Sequence, residues 1–322
     1  MSRRKHAPPI EDVGDVTARL AVLLAAGVPP AAAWRYLLPE ITDDERADAI
    51  SRPRPPGAPV IAAAIRAAGE GDSISAAVAR SAGGEEPGLR SAWCGLAAAW
   101  FVATESGAPL AQCLRQLACA FQALGQTQRD LQVALAGPAA TARLVMALPV
   151  VGVLFGLGLG FNTWQTLFGS APGLVCLTVG VLLMVVGVLW NRRMIRRATP
   201  TDVTPGLCID LTAMAMAGGG SVDRARRLVG EAVNRYGIVD AHASLIDGVV
   251  DLSSRAGVPA AELLHGEADR ARREARTTGQ EAAATLAVRL MLPLGVCVLP
   301  AFMLLGVAPL LLAIISSTVA SI

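Results

Sequence analysis

Two long stretches of this 322-residue chain, residues 144–191 and 290–322, contain no charged side chain. A helix needs about 20 apolar residues to cross a bilayer core, so the first stretch has room for two spans and the second for one. All 28 basic and 26 acidic side chains lie outside these stretches. The segregation of charge predicts an integral membrane protein with three transmembrane helices and excludes an ordinary soluble domain.

Lysine is almost absent, and so is the usual nucleotide-binding motif. The chain has a single lysine, Lys5, and no G-x-x-x-x-G-K-[ST] sequence. In proteins that have this motif, its glycine-rich loop and its lysine bind the nucleotide phosphates. The run Gly218-Gly-Gly-Ser221 precedes a predicted helix without a preceding strand, which favours a turn with Ser221 as the N-cap over an anion site. We expect the chain to be no enzyme and to rely on a separate protein for ATP hydrolysis.

Residues suited to metal, redox or nucleic-acid chemistry are also few. The six cysteines include no C-x-x-C pair, and His6, His242 and His265 stand at no metal-ligand spacing from one another or from a cysteine. We therefore expect reduced cysteines, no metal, no cofactor and no catalytic residue. A net charge of +2 without a basic stripe gives no reason to expect nucleic-acid binding.

Arginines flank the predicted spans on one side only. Arg143 precedes span one (about 144–161), Arg289 precedes span three (about 290–314), and a cluster follows span two (about 174–190): Arg192, Arg193, Arg196 and Arg197. Cytoplasmic flanks carry the excess of arginine, so both charged regions and the N-terminus are expected in the cytoplasm and the C-terminus outside. The cluster is typical of an anchor at anionic headgroups, and a partner site is the alternative.

The charged regions are predicted to be helical, because apolar residues recur at helical spacing and no alternating strand pattern occurs. One stripe is Leu110, Leu114, Leu117, Phe121, Leu124, Leu131 and Leu135, and another is Leu264, Ala268, Ala271, Ala275, Ala282 and Leu286, with charges between its members facing water. The fold class is therefore all-α. The predicted order is a basic tail at 1–14, a cytoplasmic helical domain at 15–142, two spans at 143–191, a basic linker at 192–204, a second cytoplasmic helical domain at 205–288, a third span at 289–315 and an outside tail at 316–322.

The two helical domains show the pattern of an internal repeat, which predicts related folds. Ser106-Gly-Ala-Pro109 and Ala256-Gly-Val-Pro259 each open a long helix that runs into a span, and Leu20 to Gly27 corresponds to Leu211 to Gly218. The first copy is longer by a Pro- and Arg-rich insert at 39–60, which cannot form a packed helix. We interpret the insert as a flexible loop, with a role in partner binding as the alternative.

Span one carries three glycines at four-residue spacing, Gly152, Gly156 and Gly160. Small residues at this spacing let two helices pack closely in lipid. We call these three glycines the glycine seam. They would pack span one either against a second copy in a homodimer or against the other spans of the same chain, and the sequence does not distinguish the two.

These motifs resemble those of the type II secretion system F family. The resemblance rests on the helix ending in Ala-Gly-Val-Pro29, on the second G-x-P turn, on the Arg-Leu entry to spans one and three and on the tandem order of domains and spans. It implies a platform protein of the bacterial plasma (inner) membrane in a type II secretion, type IV pilus or Tad/Flp pilus system, with the Tad/Flp type favoured. The implied partners are a cytoplasmic assembly ATPase, pilin or pseudopilin subunits and other platform proteins, in a homo- or hetero-oligomer.

A transporter or permease subunit without its own ATPase is the alternative function. Substrate pathways across membranes usually carry ionisable or polar anchors that face a cavity. The predicted spans have no ionisable residue, which argues against this alternative, although an oligomer of three-span chains could still form a pore.

Overall fold

A computed structural model describes residues 9–38, 57–130, 171–198, 204–238, 244–289 and 291–308, with single residues at 133, 147, 151 and 311. Every regular element within these ranges is helical, which confirms the predicted all-α class for the described part of the chain. The chain divides into two compact units: unit 1 contains 1–129 and 201–277, and unit 2 contains 130–200 and 278–322. Residues of both predicted cytoplasmic domains thus lie in unit 1.

The first part of unit 1 contains six helices. They are α1 (Pro9–Ala25), α2 (Pro30–Arg35), α3 (Ala58–Glu70), α4 (Ile74–Ser81), α5 (Pro87–Ser106) and α6, which is helical over 110–130. Helix α1 begins before the predicted domain start at residue 15, because Ile10 and Val13 are already buried in the core. The glycine turns end helices as expected, since Gly107 adopts φ 74° and closes α5 in a conformation that favours glycine.

The second part of unit 1 contains α8 (Leu207–Ala217), α9 (Val222–Tyr236), α10 (Leu245–Ala256) and the start of α11 (Ala260–Arg289). Gly257 closes α10 with φ 68°, as Gly107 closes α5. Ser221 caps α9 by accepting a hydrogen bond from the Arg224 amide, so the predicted N-cap is confirmed. The internal repeat and the domain boundaries stay predictions.

Helix α5 lies at the centre of unit 1 and is buried on nearly every side. Trp93, Leu96, Trp100 and Phe101 all lie in one hydrophobic core that also includes residues of α1, α3, α8 and α9. α5 packs against α1 and α4 from its own half and against α8 and α9 from the other half. The two predicted domains therefore share a core.

The first helix of each half contacts the long helix of that half, and in the first half the two helices run antiparallel. In the first half, a Cβ on Gly14 of α1 would lie 3.2 Å from Phe121 of α6, and the Glu11 carboxylate pairs with Arg129 at 2.8 Å. In the second half, a Cβ on Gly206 would lie 3.1 Å from the Ala268 carbonyl oxygen. Glycine is therefore required where the helices approach most closely.

The long helices bury their predicted stripes. Leu114, Leu117 and Phe121 of α6, and Leu264, Ala268, Ala271 and Leu286 of α11, are buried as the periodicity predicted. Leu131 and Leu135 lie outside the described residues. One charged residue departs from the prediction that charges between the stripe members face water: the Arg272 side chain is only 14% exposed. Arg272 is buried because it forms an ion pair with the buried Asp210, which is described below.

Unit 2 contains α7 (Ala171–Ala198) and a helical segment that begins at Met291 and ends at Val307. α7 contains residues 173–191, the one described helix that is long and apolar enough to cross a membrane, in agreement with predicted span two. The segment from 291 includes two π-helical turns, on either side of Leu299–Phe302, and is shorter in its described part. Predicted span one lies outside the described residues, so the count of three spans is not confirmed.

Candidate functional site

A buried carboxylate in unit 1 links α8 to α11. The Asp210 side chain is 5% exposed and its Oδ2 accepts a hydrogen bond from Arg272 Nη1 at 2.5 Å. Its Oδ1 lies 3.4 Å from His265 Nδ1. Arg272 also donates through Nη2 to Asp269 Oδ1 at 2.6 Å. We call Asp210, His265, Asp269 and Arg272 the Asp210 network.

The Asp210 network exists because α8 is almost wholly buried. Eight of its neighbours on the helix are apolar or small and lie in the core: Leu207, Cys208, Ile209, Leu211, Thr212, Ala213, Met214 and Ala215. A buried carboxylate requires a partner, since burying an unpaired charge is strongly unfavourable. α11 provides that partner as Arg272, the residue after buried Ala271 of its stripe.

Charge is retained within the network. Burial lowers the pKa of the Arg272 guanidinium, but the nearby Asp210 and Asp269 carboxylates outweigh burial, so the pKa is raised above its usual value. Arg272 therefore stays a cation at any physiological pH. The network is an ionic contact between α8 and α11. Its central pair, Asp210 and Arg272, joins residues 62 positions apart in the sequence.

A cavity of about 340 Å³ lies beside the network, between α6 and α11. The wall from α6 contributes Arg115, Gln116 and Cys119 together with two alanines, and the other side is formed by the Asp210 network. The lining includes two arginines, two aspartates and a histidine, so it suits a polar group without a strong preference for one charge sign. No group of three or more metal-binding side chains occurs among the residues that the structure describes.

The predicted glycine seam, Gly152, Gly156 and Gly160, lies outside the described residues. The structure shows a different glycine contact, between α7 and the 291–307 segment. A Cβ on Gly180 would lie 2.5 Å from Leu305 Cγ, and a Cβ on Gly187 would lie 3.1 Å from Cys297 Cβ. The seven-residue spacing puts both glycines on one face of α7, a signal that the sequence did contain.

The predicted basic cluster lies on the last two turns of α7. Arg192, Arg193, Arg196 and Arg197 are part of that helix, which ends at Ala198, and the Arg193 side chain is exposed. The outer surface of α7 before the cluster carries exposed Val175, Leu182 and Leu189. An apolar surface followed directly by arginines is the pattern of a span that ends at a charged membrane surface.

The cysteines are free in the described part of the chain. Cys113 is buried and Cys119 exposed, as expected for residues on different faces of one helix. Burial raises the pKa of the Cys113 thiol to about 11 and also raises the pKa of the Cys94 thiol. His265, which stands at no metal-ligand spacing in the sequence, contacts Asp210, and no local pattern indicated that contact.

Together these features describe two units that are helical throughout their described residues: a polar unit with a buried ionic network, and a unit that contains one helix long and apolar enough to cross a membrane. Residues 16–158 match the family described as Type II secretion system (T2SS), protein F. The chain therefore carries a domain of the type II secretion system F family, as its motifs predicted. Members are inner-membrane proteins with a general role as platforms of secretion or pilus machines. No curated protein and no solved structure matches the chain.

Proposed function

We propose that the chain is the membrane platform that couples a separate cytoplasmic ATPase to the extraction and assembly of pilin-like subunits. The observation that carries the proposal is the family domain at 16–158. The chain has no phosphate-binding loop of its own, so an energy source in another protein suits its composition.

Helix α11 supports a mechanical form of this coupling. It is unbroken over 30 residues from Ala260 to Arg289, a length of about 45 Å. It starts in unit 1, where Arg272 is bound to Asp210, and continues past residue 277 into unit 2. In our proposal, a movement of unit 1 on ATP turnover is passed along α11 to the membrane.

The proposal includes a three-span topology with the N-terminus in the cytoplasm and the C-terminus outside. It is supported by the arginine cluster at the end of α7 and by the uncharged stretches 144–191 and 290–322. We favour a Tad/Flp-like system, and the oligomer is proposed to include other platform proteins.

The test is deletion of the gene, with complementation by the full chain, in a strain whose surface filaments are visible. We expect filaments to be lost while pilin subunits accumulate in the membrane, and complementation to restore them. A transporter subunit gives the opposite result, with normal filaments and loss of uptake or export of a small solute. Normal filaments after deletion would refute the platform function.

A further inference from the structure

The cavity beside the Asp210 network is bounded by helices from both halves of unit 1. One wall comes from α6 and the other from α8 and α11, and the volume is about 340 Å³. Small-molecule sites in proteins usually have volumes of about 300–1,000 Å³. Cys119 and Ala123 of the α6 wall are exposed, so the cavity is open to solvent. It is therefore large enough and accessible enough to admit a small molecule.

The α6 wall of the cavity is cationic, and its polar groups are free. Arg115 is the one charged residue between positions 110 and 128, and its side chain has no hydrogen bond or ion pair with any described residue. Gln116 beside it is half-buried and adds an amide donor. The nearest acid in the sequence on this side, Glu105, is exposed before the Gly107 turn and is not part of the lining. This wall therefore presents N–H donors and a positive charge, which suit a carboxylate.

The opposite wall has one net negative charge when His265 is neutral. Its two carboxylates, Asp210 and Asp269, share a single cation, Arg272. Asp210 is enclosed, whereas the Asp269 side chain is 60% exposed and is bonded to Arg272 through Oδ1. A carboxylate can accept several hydrogen bonds, so Asp269 keeps acceptor positions for another donor. This wall therefore suits an ammonium group.

The two walls thus differ in charge sign, although the lining as a whole is balanced. Beyond the cavity, the same face of α11 continues with Glu262, one turn before His265, and with Arg276, one turn after Arg272. These two residues have opposite signs and leave the contrast between the walls unchanged. A molecule with a single charge would be attracted by one wall and repelled by the other. A molecule with a carboxylate and an ammonium group can pair with both walls.

We propose that the cavity binds a small amino acid, with its carboxylate on Arg115 and Gln116 and its ammonium group on Asp269. Ala120 and Ala123 of the same lining offer an uncharged surface for the carbon chain of the ligand. The ligand joins α6 of the first half to α11 of the second half, so its binding should also raise the unfolding midpoint of unit 1. This inference does not rest on the proposed function, and filament assembly does not decide it.

The test uses the full chain in nanodiscs of neutral lipid and follows the thiol of Cys119, which lines the cavity. The probes are leucine and γ-aminobutyrate, each with two analogues that lack one charge: N-acetylleucine and leucinamide for the first, butyrate and butylamine for the second. At least one amino acid at millimolar concentration should slow the alkylation of Cys119. By calorimetry it should bind about ten-fold or more tightly than either of its analogues. Cys94, outside the lining, is the internal reference, and its alkylation should not change.

Variants assign each charge of the ligand to one wall. Arg115→Gln should weaken binding of the amino acid about ten-fold or more and remove its advantage over the amine analogue, because the carboxylate has lost its partner. Asp269→Asn should remove the advantage over the analogue that lacks the ammonium group. Arg273→Gln is the matched control, at an exposed arginine of α11 outside the lining, and should bind like the wild type.

Three results would overturn the proposal. If neither amino acid protects Cys119, or if Cys94 is protected equally, the cavity is not a site for this class of ligand. If an analogue with one charge binds as tightly as its amino acid, the cavity recognises one charge only. If Arg115→Gln binds the amino acid like the wild type, the ligand lies elsewhere on the protein.

Discussion

Removing the charge of Asp210 tests whether the Asp210 network holds α8 and α11 together. Asp210→Asn keeps the shape of the side chain but leaves the Arg272 guanidinium, 14% exposed, without its main counter-charge. Removing one partner of a buried ion pair costs about 3–5 kcal/mol. Asp269 remains bonded to Arg272, so we expect a smaller loss of about 2–3 kcal/mol in the free energy of unfolding.

The measurement is thermal unfolding of the full chain in detergent, followed by tryptophan fluorescence. Three of the five tryptophans, Trp34, Trp93 and Trp100, lie in the buried core of unit 1 and report on it. The loss should lower the unfolding midpoint by about 5–10 °C. Asp269→Asn is the control, because that carboxylate is 60% exposed and such a pair is worth about 1 kcal/mol or less.

A double-mutant cycle separates the ion pair from general damage to the fold. Arg272→Met alone leaves the Asp210 carboxylate buried without its cation, whereas Asp210→Asn with Arg272→Met removes both charges. The double variant should therefore cost less than the sum of the singles, with a coupling of about 1–3 kcal/mol. Additive losses, or equal losses for Asp210→Asn and Asp269→Asn, would refute the reasoning.

Three further predictions concern backbone approach, helix continuity and thiol reactivity. Gly218→Ala should destabilise unit 1 by about 1–3 kcal/mol in the same unfolding assay, because its Cβ would lie 2.2 Å from the Ser106 carbonyl oxygen. Gly230→Ala, in α9 with nothing within 4 Å, is the control and should be neutral or stabilising; equal effects would contradict the close approach. Ala282→Pro should break α11 at a cost of about 3 kcal/mol or more and abolish filament assembly at normal membrane levels, while Glu281→Ala should not. Normal assembly by the proline variant would rule out α11 as a mechanical link. At pH 8 the Cys113 thiol, with its pKa raised to about 11, should be about one part in a thousand thiolate. Mass spectrometry after brief alkylation should find exposed Cys119 modified before Cys113, and the reverse order would contradict the described burial.

The sequence predicted those parts of the fold that depend on local periodicity. The stripes of α6 and α11 are visible because residues three, four and seven apart share one face of a helix. The glycine turns at Gly107 and Gly257 are visible because a left-handed residue after a helix favours glycine whatever the tertiary fold. The membrane character of α7 is visible from composition alone.

The Asp210 network was not predicted, because its central pair joins residues 62 positions apart. Arg272 has neighbours of both signs on α11, so its sequence context is that of a solvated helix face. Only Asp210 stands out, as the one acid in an otherwise apolar helix, and that signal indicates a buried partner without identifying it. The contact of Gly218 with Ser106 is equally non-local and has no counterpart in either local sequence.

The burial of α5 has a consequence for how the protein can be divided. α5 has much of its surface covered by α8 and α9, which follow predicted spans one and two in the chain. A fragment that ends before those spans would leave open to water the strip of α5 that contacts α8 and α9, including Gly95 and Phe101, and would aggregate or recruit a substitute. In the proposed topology, the first half of unit 1 therefore stays incomplete during synthesis until the chain has crossed the membrane and returned.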